Sequence, residues 1–229
     1  MGNALEDELD RRLAAHLRHW LGAWPPAGPV TVVGSALREA PGWDGSLRRL
    51  AGVETPAGAI VSVPPRYADR VAGAAAGKSL DELAPELPAL VDLPGATLIR
   101  GVFRSCTTLV ELPDAGIWLA PGDPRVPEWL RPFNGDVLVA LDAAGGYAAG
   151  VGRKAHDGIG QELAVATEPE QRGRHLARRL VAQAARRVVA EGGVATYLHR
   201  PDNLASAAVA QAAGFPERGW RILGLPVPG

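Results

Sequence analysis

Several residue types are scarce in this sequence, and each scarcity narrows what the protein can be. A single cysteine, Cys106, excludes an internal disulfide and a cysteine-based metal site. No apolar run reaches the roughly 18 residues of a membrane-spanning helix, and the N-terminus lacks the layout of a signal peptide. The formal net charge is only −1, so no overall positive field favours nucleic acid. We therefore expect a soluble, cytoplasmic protein with no membrane or metal partner, whose overall charge does not favour nucleic acid.

What is present is typical of a globular chain. Hydrophobic residues make up 47% and charged residues 21% of the 229 positions, which is enough to build a substantial core. Three prolines, Pro85, Pro88 and Pro94, fall close together and indicate a linker. The sequence thus predicts an N-terminal α/β region over residues 1–95 and a second domain over residues 96–229.

Hydrophobic periodicity predicts the elements of both parts. Leucines spaced every four residues predict a helix over 4–22, on which His16 and His19 lack a third metal ligand. In the first part we also predict a strand at 30–33, a hairpin at 53–63, a helix at 67–76 and a second helix capped by Ser79. In the second part we predict strands at 97–103, 136–141, 147–154, 160–167, 194–199 and 220–225, and a helix over 204–213 closed by Gly214. The proline-rich stretch 113–134 is predicted to be loop with a short helix near 128–130.

The most informative segment follows the strand at 160–167. A turn at 168–171 leads to Arg172-Gly173-Arg174-His175-Leu176-Ala177 and then to a helix with an apolar face. The first turn of a helix has unpaired backbone N–H groups that favour an anion. Residues 168–187 contain six arginines and two glutamates, a net charge of +4 in a protein of net charge −1. The segment indicates either a diphosphate site or a solvated basic helix face.

This segment resembles the acyl-CoA loop of the GNAT N-acetyltransferase superfamily, whose pattern is Gln/Arg-x-x-Gly-x-Gly/Ala between a strand and a helix. Arg172 and Ala177 match that pattern, whereas His175 stands where the internal glycine is expected. The preceding antiparallel meander and the later Asn203 and Gly214-Phe215 resemble the same family. The resemblance covers about residues 96–229 and implies an α+β, α/β/α fold with a mixed, mostly antiparallel sheet. The element order of residues 1–95 is compatible with a degenerate copy of that fold.

The resemblance implies that acetyl-CoA is the acyl donor and a small-molecule or peptide amine the acceptor. Backbone N–H groups of the loop would hold the CoA diphosphate, strand 163–167 would pair with the pantetheine arm, and strand 194–199 would splay from it. The residues implied to bind CoA are Leu163, Val165, Thr167, Arg172, Gly173, Arg174, His175, Leu176, Ala177 and Asn203.

Three residues are candidates for proton transfer. Glu162 matches the usual place of a catalytic glutamate within one residue, and a bulge in its strand would correct the register. Tyr197 and His199 share one face of their strand, and His156 is a weaker candidate at a turn. The tyrosine acid that many family members place four residues before the Gly-Phe pair is absent, because Ala210 stands there, unless Tyr197 or Ser206 replaces it.

Two alternatives to a catalytic acetyltransferase remain open. His175 and Ala210 favour a non-catalytic protein that binds acyl-CoA on the same fold. The local arginine cluster permits an aminoacyl-tRNA donor, which the overall charge does not support. The oligomeric state is left as monomer or homodimer.

Overall fold

The computed structural model describes residues 4–225. Its helices and strands, in chain order, are α1 (Ala4–Leu21), β1 (Val30–Gly34), β2 (Ala51–Thr55), β3 (Gly58–Val63), α2 (Pro65–Ala75), α3 (Leu80–Leu83), α4 (Leu87–Leu90), β4 (Ile99–Ser105), β5 (Ile117–Leu119), β6 (Val137–Leu141), β7 (Tyr147–Ala155), β8 (Gly160–Thr167), α5 (Leu176–Ala190), β9 (Val194–His199), α6 (Leu204–Ala212) and β10 (Arg221–Gly224). Over this range, no helix is long and apolar enough to cross a membrane.

The described chain divides into two compact units, each built from two separate stretches. The C-terminal unit holds residues 4–13 and 104–217, and the N-terminal unit holds residues 14–103 and 218–225. The predicted parts, 1–95 and 96–229, are each one continuous stretch of chain. In the structure, residues 4–13 instead belong to the unit that contains 104–217, and residues 218–225 belong to the unit that contains 14–103. That division stays a prediction about domain organisation.

The C-terminal unit contains the meander that the alternating hydrophobic pattern predicts. Its strands lie in the order β9-β8-β7-β6-β5, with antiparallel pairing from β5 to β8 and parallel pairing of β8 with β9. Helix α5 buries Leu180, Ala184 and Val188 in a core that also contains Leu138 and Tyr197. This packing fixes the start of α5 at the end of β8.

The N-terminal unit has a sheet and core of its own. Its strands lie in the order β1-β3-β2-β10-β4, and only the pair β1 and β3 is parallel. Val61 and Leu223 pack with Tyr67 and Val71 of α2 in its buried cluster. The predicted cap at Ser79 is confirmed, because its hydroxyl accepts from Glu82 N–H while the Glu82 carboxylate accepts from Ser79 N–H.

The predicted α+β fold with a mixed, mostly antiparallel sheet is confirmed. The predicted helices and strands are present, with their ends shifted by a residue or two. One strand differs from the prediction: β5 lies inside the stretch 113–134, which the sequence predicts to be loop. A three-residue strand has too short a pattern to detect, and it exists because Ile117–Leu119 pairs with Val137–Val139 of β6. The short helix predicted near residue 128 is a single 3₁₀ turn, Glu128–Leu130.

Candidate functional site

The loop between β8 and α5 bends through two left-handed residues. Gly173 has φ 79° and His175 has φ 61°. His175 is the N-cap residue of α5, and its side chain makes no capping hydrogen bond. Thus a histidine adopts the conformation that glycine adopts most easily, at the position where the motif predicts a glycine.

Three arginines of this segment have no side-chain partner. Within residues 4–225, Arg172, Arg174 and Arg178 form neither an ion pair nor a side-chain hydrogen bond, and the Arg178 Nε is buried. Their neighbour Arg179 is different, because its guanidinium donates to the carbonyl oxygens of Pro113 and Asp114 at 2.9 and 2.7 Å. The positive charges of Arg172, Arg174 and Arg178 beside the loop are therefore available to a ligand. Arg179 instead holds the chain at Pro113 and Asp114 in place.

A cavity of about 330 Å³ opens beside the loop and the N-terminus of α5. Six of the residues predicted to bind CoA line it, namely Thr167, Arg172, Gly173, His175, Leu176 and Ala177. Its opposite wall is apolar and comes from α6, through Ala208, Val209 and Ala212. The Thr167 Oγ1 is buried without a hydrogen-bond partner. The cavity thus has a basic, N–H-rich end and an apolar side.

The other predicted CoA contacts lie outside the lining of this cavity. Leu163 is buried in the core and Val165 packs against it. Arg174 is exposed. Asn203 is the N-cap of α6, and its side-chain oxygen accepts from Ser206 N–H at 3.0 Å. The Asn203 side chain therefore has a structural use that is independent of a ligand.

Strands β8 and β9 part along their length. Their parallel register runs from Gly160 paired with Val194 to Leu163 paired with Tyr197. Strand β8 continues to Thr167 and stays paired with β7 without interruption from Gln161 to Thr167. The opening begins at the Leu163–Tyr197 pair, here called the apex, and leads toward the loop. The continuous register also shows that the bulge considered for β8 is not there.

Glu162 is buried among two basic side chains of the β7 end. Lys154, directly opposite on β7, forms an ion pair with Glu162 Oε1, and His156 Nε2 lies 3.2 Å from Oε2. Burial by itself raises the pKa of the Glu162 carboxyl, but the His156 hydrogen bond and the Lys154 charge outweigh it and hold that pKa below its ordinary value. Glu162 is therefore an ionised carboxylate that orients His156.

His199 is held in one tautomer. Its Nδ1 lies 2.8 Å from the Arg200 carbonyl oxygen, which only accepts, so Nδ1 carries the proton. Its Nε2 then accepts from Arg104 Nε at 3.1 Å. The buried Arg104 also donates to the Phe215 carbonyl oxygen at 3.0 Å and pairs with Glu217 at 3.2 Å. Both ring nitrogens of the neutral His199 are thus occupied.

Tyr197 is buried against Phe215, and its hydroxyl lies 2.8 Å from Ser206 Oγ. Burial raises the pKa of the Tyr197 phenol, so it stays protonated. Its position opposite Leu163 puts it on the sheet face that packs against α5. Glu162, one residue earlier, lies on the opposite face, because side chains alternate along a strand.

The structure therefore separates the three predicted proton-transfer residues. Tyr197 and His199 share one sheet face and Glu162 lies on the other. From sequence His156 is only the weaker candidate, yet it contacts Glu162, and Arg104 is not a candidate at all, yet it contacts His199. Hairpin geometry could have indicated the contact between His156 and Glu162, because a tight turn between β7 and β8 brings residues 154 and 156 beside residue 162. No sequence signal joins Arg104 to His199, which lie 95 residues apart.

Comparisons with known proteins are consistent with the motif. Residues 104–215 match the model of the acetyltransferase (GNAT) family. The chain has no match among curated proteins.

Three solved structures are similar to the chain. A protein assigned to the GNAT acetyltransferases, from Novosphingobium aromaticivorans, is 23% identical with a TM-score of 0.47, over 58% of this chain and 69% of that one. A GNAT-family acetyltransferase from Colwellia psychrerythraea is 16% identical with a TM-score of 0.44, over 61% of this chain and 60% of that one, which is less than two thirds of its length. A GCN5-related N-acetyltransferase-like protein from Streptococcus suis is 13% identical with a TM-score of 0.49, over 97% of this chain and the whole of that one.

Proposed function

Because residues 104–215 match the model of the acetyltransferase (GNAT) family, we propose that the protein transfers an acetyl group from acetyl-CoA to a primary amine of a small molecule or peptide. The observation that supports this most directly is the cavity beside α5, where unpartnered arginines meet the free end of a helix. Both features favour a diphosphate.

The residues at the cavity fit the chemical parts of CoA. Arg172 and Arg178 line it and are available for charge-assisted hydrogen bonds to phosphate oxygens. The first backbone N–H groups of α5 point the same way, since they have no partner inside the helix. The apolar wall of α6 and the unpaired edge of β8 beyond Leu163 suit an extended arm that has both methylene and amide groups.

The roles of the protein in the reaction are orientation and proton transfer. CoA supplies the thioester, whose carbonyl carbon the neutral amine attacks. A thioester at the apex would lie next to backbone N–H groups of β8 that can stabilise the developing negative oxygen. On the opposite face, the Glu162–His156 pair is the candidate that accepts the amine proton, directly or through water. His199 is not assigned a role in proton transfer, because both its nitrogens are already hydrogen-bonded.

Calorimetric titration of acetyl-CoA into the purified protein tests the binding half of the proposal, with dephospho-CoA as a second ligand. We expect micromolar binding, and at least a tenfold loss of affinity when Arg172 and Arg178 are both replaced by glutamine, since each charge-assisted contact contributes on the order of 1.5–3 kcal/mol. The matched control is R200Q, since Arg200 is exposed and its side chain pairs, within residues 4–225, with nearby Asp202 alone. Absence of binding at millimolar acetyl-CoA would contradict the proposal.

The role of His175 is tested with the same titration. If the imidazole contacts the diphosphate, H175G lowers the affinity for acetyl-CoA. If the imidazole only crowds the loop, H175G raises it. Either result identifies what the histidine does in place of glycine.

A non-catalytic acyl-CoA-binding protein is the second candidate. The observation that favours it is Ala210, which is fully buried and has no proton to donate. A screen of primary amines for release of free CoA separates the two functions. Turnover with any amine contradicts the non-catalytic function, and tight binding without turnover across the amine classes supports it.

A further inference from the structure

Arg38 is a buried cation of the N-terminal unit that has no acidic partner. It ends a 3₁₀ turn, Ala36–Arg38, that follows β1, and only 5% of its surface is exposed. Within residues 4–225 it forms no ion pair. Buried charges in proteins are as a rule paired with an opposite charge, because taking an isolated ion out of water is costly. The environment of Arg38 therefore favours an anionic ligand.

The Arg38 guanidinium uses few of its five N–H donors. Its Nη2 donates to the Trp20 carbonyl oxygen at 3.0 Å, in the last turn of α1, and its Cζ lies 5.7 Å from the centre of the Trp20 ring. Its Nε is buried and has no hydrogen-bond partner. The Nε–H and one Nη–H of a guanidinium form a planar fork that matches the two oxygens of a carboxylate. The Nε side of Arg38 is thus suited to donate to such a group.

A second buried polar atom without a partner lies at the same edge of the sheet, where the parallel strands β1 and β3 end. Ser62 pairs with Val33 across these strands, and its hydroxyl is fully buried with no hydrogen bond. The neighbours of Ser62 in β3 face the core cluster that contains α2, so alternation puts Ser62 on the other face of the sheet. The end of α1 lies on that face, because a Cβ at Gly22 would be 2.8 Å from Val33 Cγ1. Arg38 donates to the same end of α1.

The charges near Arg38 are balanced among themselves, which leaves one positive charge. Burial, with a smaller effect from the charge of Arg48, lowers the pKa of the Arg38 guanidinium to about 10, so Arg38 is still a cation at neutral pH. Arg48 is neutralised by Asp44, to which it donates two hydrogen bonds of 2.9 and 2.6 Å. Glu39, next to Arg38, pairs with Arg66. A ligand with a single negative charge therefore matches the site better than one with two.

Apolar side chains are exposed next to both arginines. Leu37, which precedes Arg38, is 40% exposed, and Leu47, which precedes Arg48, is 48% exposed. Covering such side chains with the apolar part of a ligand is favourable. The segment 35–48 thus combines one unpaired positive charge with apolar surface.

We propose that the N-terminal unit binds a small monocarboxylate with an apolar remainder at Arg38. One carboxylate oxygen accepts from the Arg38 Nε–H and the other from an Nη–H, which neutralises the buried guanidinium. The remainder of the ligand lies against Leu37 and Leu47. All residues of this site belong to the N-terminal unit, so the inference does not depend on the proposed acetyltransferase function.

Titration of hexanoate into the purified protein, followed by tryptophan fluorescence, tests the proposal because Trp20 lies against the guanidinium. We expect saturable binding with a Kd on the order of 1 mM, which two charge-assisted hydrogen bonds can provide. R38K keeps the charge but loses the planar fork, and we expect it to weaken binding by about tenfold or more. The matched control is R49K, because Arg49 also donates to backbone carbonyl oxygens, those of Val91 and Asp92. R49K is expected to leave the Kd for hexanoate unchanged.

Further titrations identify the chemistry of the ligand and the location of the site. Acetate is expected to bind more weakly than hexanoate because it lacks the apolar tail. Inorganic phosphate is expected to bind more weakly because at neutral pH it brings a second negative charge into a buried site. The double variant R172Q/R178Q is expected to bind hexanoate as the wild type does, which separates this site from the cavity beside α5.

Several results would overturn the proposal. They are the absence of saturable binding at tens of millimolar hexanoate, wild-type affinity in R38K, an equal loss of affinity in R49K, and a loss of hexanoate binding in R172Q/R178Q. Equal affinities for acetate and hexanoate, or tighter binding of phosphate, would overturn the assigned ligand class. If R38K does not fold, the NMR resonance of the Arg38 Nε–H in the wild type decides. A shift of that resonance on addition of hexanoate supports the site, and an unchanged resonance overturns it.

Discussion

At the residue scale, the backbone conformation of His175 shows what the loop before α5 requires at this position. His175 is exposed and has a positive φ of 61°. A residue with a Cβ loses about 1–2 kcal/mol in that conformation relative to the right-handed one. Histidine is among the residues found there more often than most, yet glycine has no such cost.

We therefore expect H175G to increase the free energy of unfolding by about 0.5–1 kcal/mol, since relief of about 1–2 kcal/mol of strain exceeds the roughly 0.5–1 kcal/mol of extra chain entropy that glycine brings. Urea unfolding measures this change in free energy, provided that the m-value is the same for the variant and the wild type. The matched control is R174G, because Arg174 is also exposed but has no positive φ, and it is expected to lose stability. Equal losses in both variants would contradict the strain argument.

Glu162 gives a pH-dependent prediction at the same scale. Its pKa is lower in the folded chain than its ordinary value near 4.5, so the ionised form stabilises the fold above that pH and the stabilisation is lost as the pH falls below it. We expect E162Q to lower the free energy of unfolding by about 1–3 kcal/mol at pH 7, because Lys154 and His156 lose a charged partner. The deficit narrows as the pH falls from about 4.5.

Urea unfolding of wild type and E162Q between pH 7 and pH 3 checks this. The control is E170Q, since Glu170 is exposed and forms no ion pair within residues 4–225. A deficit of E162Q that is the same at every pH would show that the carboxylate charge is not what stabilises the cluster.

At the element scale, α6 is defined by its two ends rather than by its composition. It is a run of small apolar residues with an asparagine cap at its start and Gly214 after its end. Gly214 has φ 93°, and a Cβ there would lie 2.1 Å from the carbonyl oxygen of Thr108. The glycine thus both ends the helix and allows another segment of backbone to approach it.

We expect G214A to destabilise the protein by about 3 kcal/mol or more, because a left-handed alanine costs about 1–2 kcal/mol and the collision with backbone adds to it. Thermal unfolding measures the loss. G158A is the matched control, since a Cβ at Gly158 meets nothing within 4 Å and its φ is not positive. A normal melting temperature for G214A would mean that the chain near Thr108 shifts at little cost.

At the scale of the whole molecule, charge is balanced overall and uneven locally. The net charge is −1, while residues 168–187 have a net charge of +4. A local cluster attracts a compact anion at contact distance, but screening within about 8–10 Å at physiological salt prevents it from attracting a polyanion from afar.

Acetyl-CoA binding is therefore expected to weaken as salt rises, while transfer RNA is not retained. Calorimetry from 50 to 300 mM salt (about the range in which such contacts are screened) measures the first, and an electrophoretic shift at physiological salt measures the second. A stable complex with transfer RNA would contradict this and would revive the aminoacyl-tRNA donor considered from the arginine cluster.

Patterns along the chain are enough to predict most of the helices and strands and the position of the loop before α5. Leucine spacing predicted α1, alternation predicted β6 to β8, and the Arg172–Ala177 motif located the loop that precedes α5. These features depend on residues that are neighbours along the chain, so a periodic or local pattern reports them.

What the candidate groups contact is set by the packing of the elements in space. Strand register put Glu162 and Tyr197 on opposite faces, and Arg104, distant in sequence, occupied the nitrogen that would have made His199 a base. The same packing brought Ser206 to Tyr197 and assigned residues 4–13 to the unit of the loop. Hydrogen bonds between distant residues depend on how elements pack in space, and that information is not contained in the pattern of any one segment.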